Sequence, residues 1–299
     1  MSVYNGADNL LDSVQSVLSQ QDADLEFIIV DDGSTDASGA LLDEIAKTDP
    51  RVRVIHQNNS GLTKALIKGC AAAQGQYIAR QDAGDVYLPG KLKKQIDVLN
   101  SEPDVALVSC GTRFLGPAGE LLYEVVPNSL GATTRLLCLD ASGLRGPSHH
   151  ASVVFRRDRY HAVGGYRPQF YFAQDLDLWT RLAEVGRHFI IPELLFQAVF
   201  LPQSISGIQR KRQVELTRII LECSKRRRSG LSETEMLDQA RQIVPCSTRP
   251  SKIDHANALY FIGSCLKKNK DPRARAYFRK AWRENRFHMK SALRLILGA

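Results

Sequence analysis

The chain of 299 residues has no apolar run of 18 residues, so a membrane-spanning helix is not expected. It has no Cys-x-x-Cys pair, and its six cysteines, at 70, 110, 138, 223, 246 and 265, stand far apart. That scatter speaks against a zinc ribbon or a disulfide framework and for reduced thiols in a cytosol. The opening, Met1-Ser2-Val3-Tyr4-Asn5-Gly6, lacks the basic stretch and apolar core of a secretory leader. The basic run Lys225-Arg226-Arg227-Arg228 has no aromatic side chain beside it to serve as a stacking platform, so no nucleic-acid partner is expected.

Charge is present in quantity but unevenly placed. From Gly207 to Ala299 there are 22 Lys and Arg against 8 Asp and Glu, a net +14. Residues 1–206 carry 18 against 24, a net −6. An acidic body followed by a basic tail predicts a domain over 1–205 and a helical extension over 206–299. The tail, with its Lys225–Arg228 run, suits either the anionic face of a membrane or a solvated helix surface.

Within the body, helical and strand-like stretches alternate. Leu10, Leu11, Val14, Val17 and Leu18 recur at helical spacing over Asp8–Gln20. Phe27–Val30 is a continuous apolar run, as expected of a strand covered on both faces. A helix over Ala37–Lys47, a strand over Val52–Ile55, a helix over Leu62–Ala73 and a short strand ending at Ala79 follow. This order predicts an α/β fold, a doubly wound, mostly parallel sheet with its ligand at the carboxyl ends of the strands. The first strand is expected to be missing, since Met1-Ser2-Val3 is too short to supply it. A strand of about 5–6 residues is expected upstream, or else a gap in the sheet.

Further strands are expected at Val105–Ser109, Leu121–Val126, Ser152–Arg157 and Phe189–Ile191, with a turn at Gly116–Gly119 and a helix over Asp175–Val185. Beyond residue 207 the pattern is all helical, with a break at Pro245–Pro250. Ala274, Phe278 and Ala281 have the small-large-small spacing of a tetratricopeptide second helix, in one copy only.

The stretch Arg80-Gln81-Asp82-Ala83-Gly84-Asp85-Val86-Tyr87-Leu88-Pro89 is where chemistry is most expected. Asp82 and Asp85 stand three residues apart at the end of a buried strand, with Gly84 between them. Carboxylates in an irregular turn at a strand's carboxyl end suit a cation or a sugar hydroxyl; the alternative is a polar turn leading into the next helix.

Together with its flanks, this stretch resembles the family 2 glycosyltransferases. Five segments carry the resemblance in order: Val3–Gly6, Ile29-Val30-Asp31-Asp32-Gly33-Ser34-Thr35-Asp36, Ile78–Asp85, Val163-Gly164-Gly165-Tyr166 and Gln174-Asp175-Leu176-Asp177-Leu178-Trp179. The resemblance covers residues 1 to about 205 and implies a GT-A nucleotide-sugar-binding fold. It implies an inverting transfer from a nucleoside-diphosphate sugar, UDP-linked by default, to a glycan or lipid-linked acceptor in cell-surface polysaccharide synthesis. A cytoplasmic place, peripheral at the inner face of the membrane, goes with that reading.

The resemblance also distributes roles. Tyr4 and Asn5 would border the base pocket, Tyr4 stacking on the base. Asp32 would accept from the base imide, with Asp31 as second contact. Arg80 would lie by the diphosphate and Asp82 by ribose and metal. Asp82 and Asp85 would hold Mn²⁺ or Mg²⁺, although the family's usual ligand position falls on Gly84, which has no donor. Asp175 would be the catalytic base, next to a neutral Gln174 that removes a like charge and eases any rise in its pKa. His150, or its neighbour His149, would reach a phosphate. Trp179 reads as core, and Ile67 stands where a polar nucleotide contact is usual. Gly84, Ile67 and the short start together also fit a catalytically impaired nucleotide- or glycan-binding relative.

Overall fold

The computed structural model describes residues 1–202, 210–244 and 251–296. The boundary expected near residue 205 and the break at Pro245–Pro250 lie outside the described residues.

The chain opens with β1 (Ser2–Val3), α1 (Ala7–Leu18), β2 (Phe27–Asp31), α2 (Ser38–Thr48), β3 (Val52–His56), α3 (Leu62–Ala72) and β4 (Tyr77–Ala79). β1, β2 and β3 form a parallel three-stranded sheet in that order. All five residues of β2 are buried, because α3 packs against it and parallel neighbours flank it on either side.

β1 corrects the expectation of an absent first strand. Val30 and Asp32 donate their N–H groups to the carbonyls of Met1 and Val3 at 2.9 and 2.8 Å, so two residues suffice to hold the strand position beside β2. Beyond them the sheet is open. A cavity of about 480 Å³ lies among Met1, Phe27, Ile28, Tyr77 and Ile78, between the edges of β2 and β4. A single parallel bridge, Ser2 to Asp82, crosses from β1 to the end of β4.

After β4 come β5 (Val86–Tyr87), α4 (Lys91–Ser101), β6 (Val105–Leu115), β7 (Leu121–Val125), α5 (Ala132–Leu136), a 3₁₀ turn (His150–Ser152), β8 (Val154–Arg156), α6 (Arg157–Ala162), α7 (Gln174–Val185) and β9 (Arg187–Val199). Their sheet runs β4-β8-β6-β9-β5, with β7 beside β6. The pairs β4–β8, β6–β8 and β5–β9 are antiparallel, whereas β1, β2 and β3 pair in parallel. β9 runs thirteen residues, well past the Ile191 at which the apolar pattern stops. Pro192 removes one N–H, yet Phe196 and Gln197 beyond it still pair with Tyr87 and Val86.

The main core packs β4, β6 and β8 against α3, α6 and α7 through Leu66, Ile78, Leu107, Phe155, Tyr160, Leu178 and Leu182. Trp179 and Ile67 join this cluster, which gives both a packing role. At the start of α7 the buried Asp177 binds Arg181 one turn on, Oδ2 to Nη2 at 2.5 Å, and Arg181 also donates to the Val163 carbonyl at 2.7 Å. The turn of Val163–Tyr166 is thereby locked to the helix that carries Asp175.

Two compact units are present. The first is Met1–Thr112 with Val125–Gln197 and Val214–Val244; the second is Arg113–Glu124 with the described parts of Ala198–Gln213 and Pro245–Ala299. Compactness therefore does not divide the chain at residue 205. α8 (Arg210–Arg228) and α9 (Thr234–Gln242) bury Leu216, Ile220, Cys223, Met236 and Ala240 against Phe170 and Phe172 of the body. In the same unit Arg227 pairs with Glu184 and Glu233, Arg228 with Glu184, Arg226 with Glu222 and Glu235, and Lys225 with Glu222. The basic run is thus a set of internal ion pairs. In the second unit α10 (Lys252–Lys268) and α11 (Ala274–Glu284) form a hairpin that buries Ala274, Phe278 and Ala281, followed by α12 (Met289–Ile296).

Candidate active site

The candidate side chains gather where β1, β2 and β4 end. Asp31 closes β2, buried, its carboxylate accepting the Ser34 N–H at 3.0 Å and facing His56 Nδ1 at 2.9 Å. Burial pushes Asp31 up, but these partners outweigh it and hold its carboxyl below the usual range. Asp32 is buried and turned the other way. Its Oδ1 accepts from Gln57 Nε2 at 2.6 Å and Ser60 N at 2.9 Å, and its Oδ2 accepts from Gly61 N at 2.8 Å. Gly61 has φ +90°, and a Cβ there would stand 2.9 Å from Tyr171. The backbone that binds Asp32 therefore needs glycine.

Asn5 has φ 50° and receives the Thr35 N–H on its side-chain oxygen at 2.8 Å, while its own N–H goes to Ser34 Oγ at 3.0 Å. It ties the loop after β1 to the loop after β2. Tyr4 beside it is 54 % exposed, its ring open to solvent.

Arg80 is buried at the end of β4. It donates to Asp82 Oδ1 at 2.6 Å and to His150 Nε2 at 3.4 Å, and its carbonyl accepts the Tyr87 hydroxyl. Burial would raise Asp82, yet the Arg80 guanidinium and the two imidazoles bring its pKa down to about 2. His150 Nε2 also meets the Tyr166 hydroxyl at 2.9 Å. Burial lowers its pKa to about 3, so the ring is neutral, and the Arg80 donor makes Nε2 the acceptor. His150 is engaged inside this network.

His149 faces the other carboxylate. Its Nδ1 lies 3.6 Å from Asp85 Oδ2, and its ring stacks on Phe196 at 5.2 Å. Burial lowers its pKa, which leaves a neutral ring. One donor atom each from Asp82, Asp85 and His149 lie within 4.8 Å of one another. Two carboxylate oxygens and an imidazole nitrogen are a donor set that fits a divalent cation. Gly84 contributes shape to this corner. Its φ is +97°, its N–H is held by Ser13 Oγ at 2.8 Å, and a Cβ there would meet nothing closer than Asn9 Cβ at 4.0 Å.

Asp175 stands in the first turn of α7, its Oδ1 accepting the Leu176 N–H at 2.8 Å. Burial pushes its pKa up to about 6, with the charge of Asp82 adding to the rise and Arg80 opposing it. Neutral Gln174 does not keep the pKa low, because desolvation rather than a neighbouring acid is the main cause. Behind the corner Lys91 is wholly buried, its Nζ 3.9 Å from the centre of the Tyr87 ring and without a hydrogen-bond partner among the described residues. Burial lowers its pKa to about 8.

The structure thus brings together Arg80, Asp82, Asp85, His149, His150 and Asp175 and links Asn5 to the Asp31–Asp36 loop. It does not leave Asp32 free of the chain's own donors. Tyr87 and Tyr166 stand inside the quoted segments without a role assigned to them, and Ser13 and Lys91 lie on helices whose pattern gives only packing. His149 was visible only as one of two adjacent histidines.

Residues 1–160 match the family described as Glycosyl transferase family 2. An uncharacterized glycosyltransferase of Rickettsia bellii is 28% identical over 199 residues, covering 66% of this chain and 29% of that protein. The putative glycosyltransferase EpsE of Bacillus subtilis is 28% identical over 205 residues, covering 66% of this chain and 70% of EpsE. The chain thus matches less than a third of the length of the Rickettsia relative. Among solved structures, the mannosyltransferase PcManGT of Pyrobaculum calidifontis, in complex with GDP-Man and Mn²⁺, superposes with a TM-score of 0.59 at 17% identity. That alignment covers 99% of this chain and 85% of PcManGT. Residues 1–349 of S. aureus TarS in complex with UDP give 0.53 at 16%, over 92% of this chain and 81% of that one. These likenesses show an α/β GT-A fold. With more than half of its length matched by one family and its fold in agreement, the chain belongs to glycosyl transferase family 2.

Proposed function

We propose that this chain transfers a sugar, with inversion, from a nucleoside-diphosphate donor to a hydroxyl of a glycan or lipid-linked acceptor, in cell-surface polysaccharide synthesis. The observation that carries the reading is the convergence of Asp82, Asp85 and His149 near a carboxyl, Asp175, whose pKa is raised to about 6. The relatives solved with UDP and with GDP-Man support a nucleotide-linked donor, and UDP remains the default.

In this reading Asp175 takes the proton from the acceptor hydroxyl as it attacks the anomeric carbon. With a pKa of about 6 it is about nine-tenths ionised at neutral pH and is a stronger base than an ordinary carboxylate. Asp82, Asp85 and His149 would hold the divalent cation, His149 supplying the donor that Gly84 lacks. Such a cation neutralises charge on the leaving diphosphate. An imidazole in the set favours Mn²⁺ over Mg²⁺, which prefers all-oxygen shells. Arg80, held by Asp82 and His150, places a fixed positive charge in the same corner. Tyr4 offers an exposed ring for the base. Asp31, Asp32 and Asn5 shape the pocket, Asp32 by fixing the turn at Ser60 and Gly61. The five described cysteines are all free, which supports a cytoplasmic place. No helix among the described residues is long and apolar enough to cross a membrane.

The test is turnover of UDP-sugars with Mn²⁺. Asp175→Asn should lower the rate by roughly 10²–10⁴-fold; a variant as fast as wild type refutes the base assignment. The absent carboxylate at Gly84 favours a second reading, a binder without turnover. Stabilisation by UDP and Mn²⁺ without turnover, together with activity created by Gly84→Asp, would establish that reading instead.

A further inference from the structure

The second unit ends on a face that its own core does not cover. α12 is anchored on one side: Ser291 is buried, Leu295 packs on the hairpin core, and the buried His288 lies 2.7 Å from Ser291 Oγ and 3.2 Å from Asn257 Oδ1. The opposite stripe points outward. Met289 is 75 % exposed, Leu293 56 % and Ile296 80 %, at the i, i+4, i+7 spacing that lines one helix face, and Phe287 just before them is 89 % exposed.

The charge along this segment is mostly of one sign. From Pro272 to Ala299 there are eight Lys and Arg against one acid, Glu284, and that acid faces His255 at 3.3 Å. Arg279, Lys280, Arg283, Arg286 and Lys290 are exposed. Lys290 follows Met289 directly and lies next to the apolar stripe on the helical wheel. An exposed apolar line on a segment with a large excess of cations is complementary to a surface that is apolar inside and anionic outside.

We propose that residues 287–296 dock this chain on an anionic phospholipid bilayer. Phe287, Met289, Leu293 and Ile296 enter the boundary between headgroups and acyl chains, and Arg286 and Lys290 rest on lipid phosphates. The Lys225–Arg228 run takes no part, because its cations are held by Glu184, Glu222, Glu233 and Glu235. This docking is independent of the sugar-transfer reading.

The experiment is co-sedimentation of the whole chain with vesicles of phosphatidylcholine alone or of phosphatidylcholine with phosphatidylglycerol. At about 50 mM NaCl the anionic vesicles should retain at least about fivefold more protein, and at about 500 mM the preference should vanish. Replacing Phe287, Met289, Leu293 and Ile296 together with Ser should abolish retention at low salt with an unchanged thermal melt. Arg286→Glu with Lys290→Glu should abolish the anionic preference. Equal retention by both vesicle types, or a four-serine variant that binds like wild type, overturns the proposal. So does a chain that binds no vesicle but is a dimer which the four-serine change makes monomeric; a second copy then covers the face. Retention on RNA-bearing beads with none on vesicles overturns it as well.

Discussion

Asp175 should cost the protein stability at the neutral pH where, as the proposed base, it would be ionised. Burial raises its pKa from the usual 3.8 to about 6. The folded state therefore binds its proton more tightly than the unfolded chain does. A raised folded pKa contributes stability that is complete below pH 3.8 and is lost as the pH climbs through 6. The difference is a little over two pH units, and at about 1.36 kcal/mol per unit the loss at pH 8 is at most about 3 kcal/mol. Asp175 is not wholly enclosed, so solvent screening reduces this to about 1–2 kcal/mol. Asp175→Asn has the same shape, keeps an oxygen to accept the Leu176 N–H and carries no charge to desolvate. In metal-free buffer with a chelator, the variant should melt roughly 2–8 °C above wild type at pH 8. The gap should close by about pH 4, where Asp175 is neutral in the folded wild type as well. Paired calorimetric scans across that range measure it directly. A variant equal to or less stable than wild type at pH 8, or a gap independent of pH, refutes the claim that desolvation sets the pKa. With Mn²⁺ bound nearby the pKa should fall, so the acid limb of activity should lie at or below pH 6.

Four other outcomes follow from particular contacts. His149→Ala should weaken Mn²⁺ binding roughly 10–100-fold by titration calorimetry, and the metal-free protein should lose about 1–2 kcal/mol with the Phe196 stack and the acceptor of the Ala151 N–H; unchanged affinity removes His149 from the ligand set. Gly84→Asp has room for its side chain but must adopt φ +97°, so it should lose about 1 kcal/mol in denaturant unfolding and bind Mn²⁺ more tightly. Asp177→Asn leaves the buried Arg181 guanidinium without its carboxylate and should cost about 3–5 kcal/mol; a loss under about 1 kcal/mol in the same unfolding assay would show the pair is dispensable. Tyr277→Phe removes the hydroxyl 2.6 Å from the buried Glu120 carboxylate and should cost about 1–3 kcal/mol, seen as a lower melting point and earlier amide exchange in α10 and α11.

Much of the fold can be read from local pattern. The apolar run Phe27–Val30, the helical spacing from Leu10 to Leu18 and the turn at Gly116–Gly119 each follow from side-chain period or backbone freedom within a few residues, and each is present. The acid pair Asp82 and Asp85, the base candidate Asp175 and the loop Asp31–Asp36 were legible for the same reason: each is a short motif at the end of an element. The ends of elements were less legible. β5 has only two residues and β9 continues through Pro192, because their pairing partners lie more than a hundred residues apart in sequence.

What the sequence by itself determined is therefore the alternation of strand and helix, the family and the place of the acidic turn, since these depend on neighbours along the chain. The tertiary structure decided the partners. It seated Ser2–Val3 on β2, engaged Asp32 with the Ser60–Gly61 turn, and set Glu184 and Glu233 against a basic run that looked free. It also brought His149 to Asp85 across sixty-odd residues and desolvated Asp175. Burial and the distance between charges arise only when remote segments pack. For that reason the pKa of Asp175 and the meeting of Asp82, Asp85 and His149 follow from the fold rather than from any motif.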